Sequence, residues 1–310
     1  VHNNAVDFSI GSAQNQTYVS FASTDSKGII PTNGYYRHNF MGRNTTHFLN
    51  NKLHLDFSAS YILQGNQNMY SQGGVFNPLT SLYLFPRGDN FEELKAWERW
   101  NPSRKINEQY YPYVGNVANG VIKENPYWNI YRQQFLEKRK RNMYSASLTY
   151  DALSWLNISG RVRIDNTQGE GEMRAYATSD QSTGVGYYGE WRYTLKTINQ
   201  TYADFGKYQD ADGNERKMFN ISANLGASYD DNLHKEAGFR GNLHNISNFF
   251  AVSNLDPRGG KVQTHSHTRN IAVFGSAELG WKSRLFLTLT GRTDWASQLV
   301  NTNDEAIFYP

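Results

Sequence analysis

The sequence predicts an all-β fold: an antiparallel transmembrane β-barrel with long extracellular loops. Three observations predict it. Apolar and polar residues alternate with period two along segments of ten or more residues. Aromatic residues make up 15% of the 310 and charged residues only 19%, yet mean hydropathy is −0.69. Connections between the alternating segments are short and long in turn. A barrel strand places apolar side chains on one face only, so its average stays polar. No stretch approaches the ~18 apolar residues that a membrane helix needs.

Composition removes several classes. There is no cysteine, which excludes a disulfide scaffold and a Cys-ligated zinc site. Lys and Arg total 31 against 28 Asp and Glu, a net charge of +3 that is too small for a general nucleic-acid binder. The aromatic content argues against disorder.

Taken in order, Val1-His2-Asn3-Asn4 has neither the charged nor the apolar region of a signal peptide. In Lys52–Tyr61, Leu53, Leu55, Phe57, Ala59 and Tyr61 share one face, and His54, Asp56, Ser58 and Ser60 the other. The same alternation runs through Leu156–Asp165, Phe219–Asp230, Ile271–Trp281 and Leu285–Arg292. Phe91–Trp97 is the best helix candidate and is short. A soluble sandwich also alternates, but its strands average ~5–6 residues, whereas ~9–11 span a bilayer. Short connections fall at Gly11–Asn15, His47–Asn51, Asp151–Ser154, Gln209–Glu215 and Lys282–Arg284. Longer ones fall at Ser26–Gly34, Gln64–Ile130, Thr167–Gly189, Asp230–Thr268 and Ser297–Ala306. Antiparallel strands crossing a membrane require this parity, with tight turns at one rim and long loops at the other. Phe48, Tyr150, Trp155 and Trp281 lie at tight turns, where amphipathic rings meet the lipid–water interface.

Several stretches resemble the SusC/RagA-like, TonB-linked outer-membrane transporters. They are Tyr18–Pro31 with Tyr36–Phe40, Trp155–Asp165, and above all Gly275–Trp281 through Leu287–Leu299 to Phe308-Tyr309-Pro310. The family pattern in the last is close to L-D-L-T-G-R-N-D-W-S-S-T-L followed by F-Y-P; this chain has Thr293 and Ala296 where Asn and Ser are commoner. The resemblance implies a plugged barrel of roughly 22 strands. About ten strands and the start of another are legible in residues 1–310, so the chain is expected to be an internal part of that barrel, without the plug domain or the C-terminal strands. It further implies residence in the Gram-negative outer membrane as a multi-pass barrel, import of glycans or peptides, and a SusD-like surface lipoprotein as partner. Contact with the TonB complex would run through a missing N-terminal region.

The connection 64–130 carries twelve aromatic rings and is too long for an idle loop. Tyr83, Phe85, Trp97, Trp100, Tyr110, Tyr111 and Trp128 are candidates for contact with ligand or partner, since ring faces stack on sugars and fill interface pockets. The plainer reading is that these rings pack the loop on itself. Asp56, Arg161, Arg163 and Arg292 fall on the polar faces and are lumen-facing candidates, together with Asp165 and Glu278. Glu137-Lys-Arg-Lys-Arg141 is the one dense basic run; it suits lipopolysaccharide phosphates at the outer rim, or a solvated loop base, better than nucleic acid. Asp210-Ala-Asp212-Gly213 is a hairpin turn before it is a calcium loop. His265 and His267 share a face but have no evident third ligand, so no metal and no cofactor are expected. No Gly-x-Ser-x-Gly, His-Glu-x-x-His or phosphate loop is present, which points away from an enzyme. The competing readings are a soluble secreted β-sheet protein, either a glycan-binding module or a glycoside hydrolase, and a purely structural barrel.

Overall fold

The computed structural model describes residues 1–69, 77–111, 124–154, 156–179, 189–207, 219–281, 284–298 and 307–309. Its main body is one antiparallel sheet of eleven strands. The strands are β1 (His2–Gly11), β2 (Asn15–Lys27), β3 (Gly34–Phe48), β4 (Leu53–Gln67), β7 (Gln133–Leu153), β8 (Leu156–Tyr176), β9 (Gly189–Lys207), β10 (Phe219–Asn242), β11 (Gly260–Trp281), β12 (Leu285–Ala296) and β13 (Ile307–Tyr309). They pair in this order, and β1 and β13 form the two edges. A separate hairpin of β5 (Glu98–Asn101) and β6 (Ile106–Gln109) lies between β4 and β7, flanked by the helices α1 (Pro78–Tyr83) and α2 (Pro126–Arg132).

The register joins the alternating residues into two continuous faces. On one, Val6, Phe8 and Ile10 are followed by Val19 and Phe21, then Phe40, then Phe57 and Tyr61. Tyr144 and Leu148 of β7 and Ile158, Val162 and Ile164 of β8 carry it on. At the far side Ile221 and Leu225 of β10 continue into Ile271, Val273 and Leu279 of β11, and β12 adds Leu287 opposite Leu279, Leu289 opposite Ala277 and Trp295 opposite Ile271. Nearly all these side chains are exposed. A contiguous exposed apolar surface of this extent belongs against lipid.

Its height fits. On β10 the alternation with apolar residues on one face runs from Ile221 to Tyr229, about nine residues, close to the ~9–11 that cross a bilayer on a tilted strand. Phe48, Tyr150 and Trp281 mark its edge at the short turns. A second aromatic row, Tyr61, Tyr144, Tyr229 and Trp295, marks the opposite edge. Beyond that row the same face turns polar, with Asp231, His267 and Arg269 above Tyr229 and Lys138 and Lys140 above Tyr144. Two aromatic girdles around an apolar band define a transmembrane barrel wall.

The short connections expected at Gly11–Asn15 and His47–Asn51 are seen. Ser12–Gln14 and Leu49–Lys52 are tight, the latter with positive φ at Leu49, Asn50 and Asn51. The strands run longer than their alternation suggests: β8 continues to Tyr176, β10 to Asn242, and β11 starts at Gly260. Most of the connection expected at Asp230–Thr268 is therefore hydrogen-bonded ladder. Above the lipid belt both faces of a strand meet water, so nothing enforces alternation there. Phe91–Lys95 is a 3₁₀ turn rather than an α-helix. The Gln209–Glu215 turn, the calcium-like Asp210–Gly213 and Trp155 lie outside the described residues.

Candidate functional site

The polar face and the structure seated on its upper end, where the longer connections gather, form the candidate site. Below the girdle, the polar face is knitted by short side chains and ion pairs. Asp56 accepts from Arg43 Nε at 2.9 Å and Nη2 at 2.6 Å, and from Thr45 Oγ1 at 3.0 Å. Arg292 holds Asp294 with two bonds, Nε to Oδ2 at 2.8 Å and Nη2 to Oδ1 at 2.7 Å. Thr288 donates to Glu278 at 3.3 Å, and Arg141 is bonded to Asp165. Arg161 and Arg163 share this face, are exposed, and make no ion pair with a described side chain. Near the short turns, His47 Nδ1 lies 2.6 Å from His54 Nδ1, and His54 Nε2 lies 3.0 Å from Asp151 Oδ2. The alternation placed His54 on this face, but the hydrogen-bonded chain needs the register of three strands.

The connection between β4 and β7 folds into a cap with its own core. Three asparagines cap its helical turns. Asn77 caps α1 through Leu79 N–H at 3.0 Å, and Asn90 caps the 3₁₀ turn through Glu92 N–H at 3.1 Å. Asn125 caps α2 through Tyr127 N–H, with Pro126 in the first turn where its missing N–H costs nothing. Asn125 Nδ2 also donates to the carbonyls of Leu94 at 3.0 Å and Tyr110 at 3.1 Å, tying three segments together. Asn-Pro before Tyr-Trp-Asn-Ile is a legible helix start that period counting passes over.

Trp128 is 0% exposed and donates through Nε1 to Ser179 Oγ at 2.8 Å. Trp97 lies against Trp128 and stacks on Tyr131 at 5.5 Å. Arg132 bonds Glu98 at 2.7 Å and lies over the rings of Trp97 and Tyr176. Tyr110 carries Arg99 above its ring at 3.1 Å, and Phe85 meets Phe91 edge-on. Tyr111 is buried, and burial pushes its phenol pKa up. Tyr83 and Trp100 are the exposed members, at 83% and 61%. The seven candidate rings thus divide: Trp128 and Tyr111 are interior, Trp97, Tyr110 and Phe85 are engaged in ring contacts, and Tyr83 and Trp100 face outward.

The cap does not stand alone. Gln133, Phe135, Met173 and Ala175 share the polar-side register of β7 and β8, and Met173, Ala175 and Phe135 pack together at the foot of the cap. Gln109 N–H donates to Thr178 Oγ1 at 2.8 Å, Ala177 N–H to Asn248 Oδ1 at 2.7 Å, and Asn68 Nδ2 to Thr32 Oγ1 at 2.7 Å. Four connections are thereby linked over the upper end of the polar face. Beside them a cleft of about 480 Å³ opens among Gln64, Asn66, Glu137, Arg139, Thr194 and Glu236, floored by Gly169 and Gly171. Of the basic run, Arg141 faces the polar side, whereas Lys138 and Lys140 fall on the opposite face. His265 and His267 also lie on that opposite face, where His267 Nε2 is 2.9 Å from Asp231. Among the described residues no group of three or more His, Asp or Glu side chains is arranged to hold a metal. No described helix is long and apolar enough to cross a membrane.

No family model and no curated protein matches the sequence. Solved structures do. The RagAB peptide transporter superposes with a TM-score of 0.69 at 11% identity, over 99% of this chain and 33% of that one. The RagAB peptide importer in its open-open state gives 0.68 at 12%, over 99% and 32%. The siderophore receptor PiuA from Acinetobacter baumannii gives 0.53 at 10%, over 99% and 42%. The chain spans about a third of the length of the RagAB chains. These neighbours are transporters and receptors rather than enzymes. The antiparallel barrel-wall fold expected from the sequence is borne out, as an open sheet. This chain is therefore an arc of transmembrane β-barrel wall, built like the corresponding third of the RagAB peptide transporter.

Proposed function

We propose that this chain is part of a TonB-dependent outer-membrane importer of SusC/RagA type that takes up peptides. The carrying observation is the two-faced sheet. An apolar band of bilayer height backs a hydrogen-bonded polar face, and the whole superposes along 99% of its length on a peptide transporter. In this reading the polar face lines the ligand path, with Asp56, Arg161, Arg163 and Arg292 along it. The cap receives ligand or a SusD-like lipoprotein through the outward Tyr83 and Trp100, while Trp128 and Tyr111 hold it in shape. Passage makes no covalent change to the substrate and is driven through the TonB complex. Lys138 and Lys140, above the lipid belt, suit lipopolysaccharide phosphates.

The test is uptake by living cells. Disrupting the gene should abolish growth on a peptide mixture as sole nitrogen source, with restoration by the intact gene. The native protein should fractionate with the outer membrane. Growth unchanged by the disruption would reject import of peptides, and a native protein soluble without detergent would reject the barrel reading altogether. Glycan import remains the second reading; growth lost on a polysaccharide instead of peptide would select it.

A further inference from the structure

At the upper ends of β9 and β10, on the polar face, lies a pocket of about 330 Å³ lined by Glu190, Arg192, Arg240, Asp256 and Arg258, with Gly259 and Gly260 beneath. Its charges do not balance internally. Arg192 Nε donates to Glu190 Oε1 at 2.6 Å, and Arg258 Nη2 to Asp256 Oδ2 at 2.8 Å. Arg240 makes no ion pair with a described side chain, and it stands directly opposite Arg192 in the ladder. Like charges facing each other across two strands destabilise the pair unless an anion lies between them. Gly260 leaves the room Arg240 needs, since a Cβ there would sit 3.1 Å from its Nε.

The second imbalance is on Glu190. The residue is 6% exposed, and Oε2 has no hydrogen-bond partner among the described residues. A carboxylate oxygen withdrawn from water without a donor is costly. Asn242, not Arg240, opposes Glu190, so Arg240, without an ion pair among the described residues, and the Glu190 carboxylate sit on a diagonal of the same face. A ligand that carries a carboxylate beside an N–H donor answers both.

We propose that this pocket binds the C-terminal end of a short peptide, with the carboxylate on Arg240 and the last amide N–H on Glu190 Oε2. The proposal rests on the peptide-import reading and adds where, and by which end, the peptide is held. The terminal residue of a peptide places the two groups on either side of a single Cα, and its N–H is a strong donor to a buried carboxylate. A planar guanidinium suits a carboxylate in two-point contact. A uronic-acid sugar also pairs a carboxylate with donors, but they are hydroxyls; it is the competing occupant.

The test uses the native protein in detergent and two random heptapeptide libraries, one with free C-termini and one amidated, with trigalacturonic acid as a third probe. Retained ligand is read by mass spectrometry after gel filtration. The free-acid library should be retained about tenfold more than the amidated one. Arg240→Gln should lower the free-acid library to the amidated level and leave the amidated level unchanged, and Arg240→Lys should fall between. Arg240 is exposed, so these exchanges do not threaten the fold. Equal retention of the two libraries would overturn the pocket while leaving peptide import standing. Arg240-dependent retention of trigalacturonic acid without peptide would overturn the peptide occupant. Retention of neither library would overturn the import reading together with the pocket.

Discussion

The lower sheet keeps its large apolar side chains outside, whereas the cap encloses a core of its own. Leu225, in the middle of the lipid band, is 64% exposed, whereas Leu94 and Trp128 of the cap are fully enclosed. Both regions come from the same aromatic-rich, cysteine-free sequence. The difference is the solvent. In the bilayer neighbouring strands satisfy their backbone groups through the ladder, and apolar surface is left for the lipid to cover. In water the cap must bury enough apolar surface to hold together, so it needs caps, helices and a core around Leu94 and Trp128.

The comparison can be broken from either side. Trp128→Ala should remove about 3–5 kcal/mol from the cap. Limited proteolysis should then cut within 77–132 while the heat-dependent gel shift of the barrel stays where it was. If the barrel melts at the same time, the two regions are one cooperative unit. On the lipid band, Leu225→Arg should cost about 2–4 kcal/mol for folding into bilayers, read by denaturant titration in vesicles. Its neighbour Asn224→Arg, on the polar face, should cost far less. Equal losses at the two positions would contradict the assignment of faces. Asn125→Ala should cost the cap about 1–2 kcal/mol, since it removes a helix cap and two bonds to buried carbonyls. Hydrogen exchange should quicken in α2 and at Tyr110 and leave β10 untouched.

The smallest effect concerns the connection between β10 and β11. Hydrogen bonds from the Arg258 side chain and backbone hold the Asp256 carboxylate at about 2, below its ordinary 3.8. A lowered folded value means the contribution is complete above the ordinary range and is lost as pH falls from about 4 to about 2. The loop should keep its exchange protection at pH 5 and lose part of it by pH 2. Asp256→Asn should flatten that response, and a variant with the same pH profile as wild type would discount the Arg258 contact.

What was legible in the sequence follows the same division. Ile221–Tyr229 and Ile271–Leu279 announce themselves because lipid on one face and the polar lumen side on the other impose period two. The upper half of β10 does not, since Asp231–Asn242 meets water on both sides and its pairing is set by the ladder alone. The lower aromatic row was readable from Phe48, Tyr150 and Trp281 beside tight turns. The upper row was not, because Tyr61, Tyr144, Tyr229 and Trp295 come level only through the register. In the cap, composition showed an aromatic cluster but could not divide Trp128 from Tyr83, because burial is decided by contacts with Ser179 and Trp97 that are distant in sequence or invisible to periodicity. Glu190 and Arg240 carried no motif at all. They became a pair only when β9 met β10.

The central claim is that one face of this wall meets lipid and the other lines a watery path. The absence of cysteine from the chain makes a single-cysteine ladder along Ile221–Tyr229 of β10 the most direct measurement. In intact outer membranes, a water-soluble maleimide should label cysteines placed at 222, 224, 226 and 228, and spare those at 221, 223, 225 and 227. Uniform labelling, or labelling of the odd positions instead, would contradict the account.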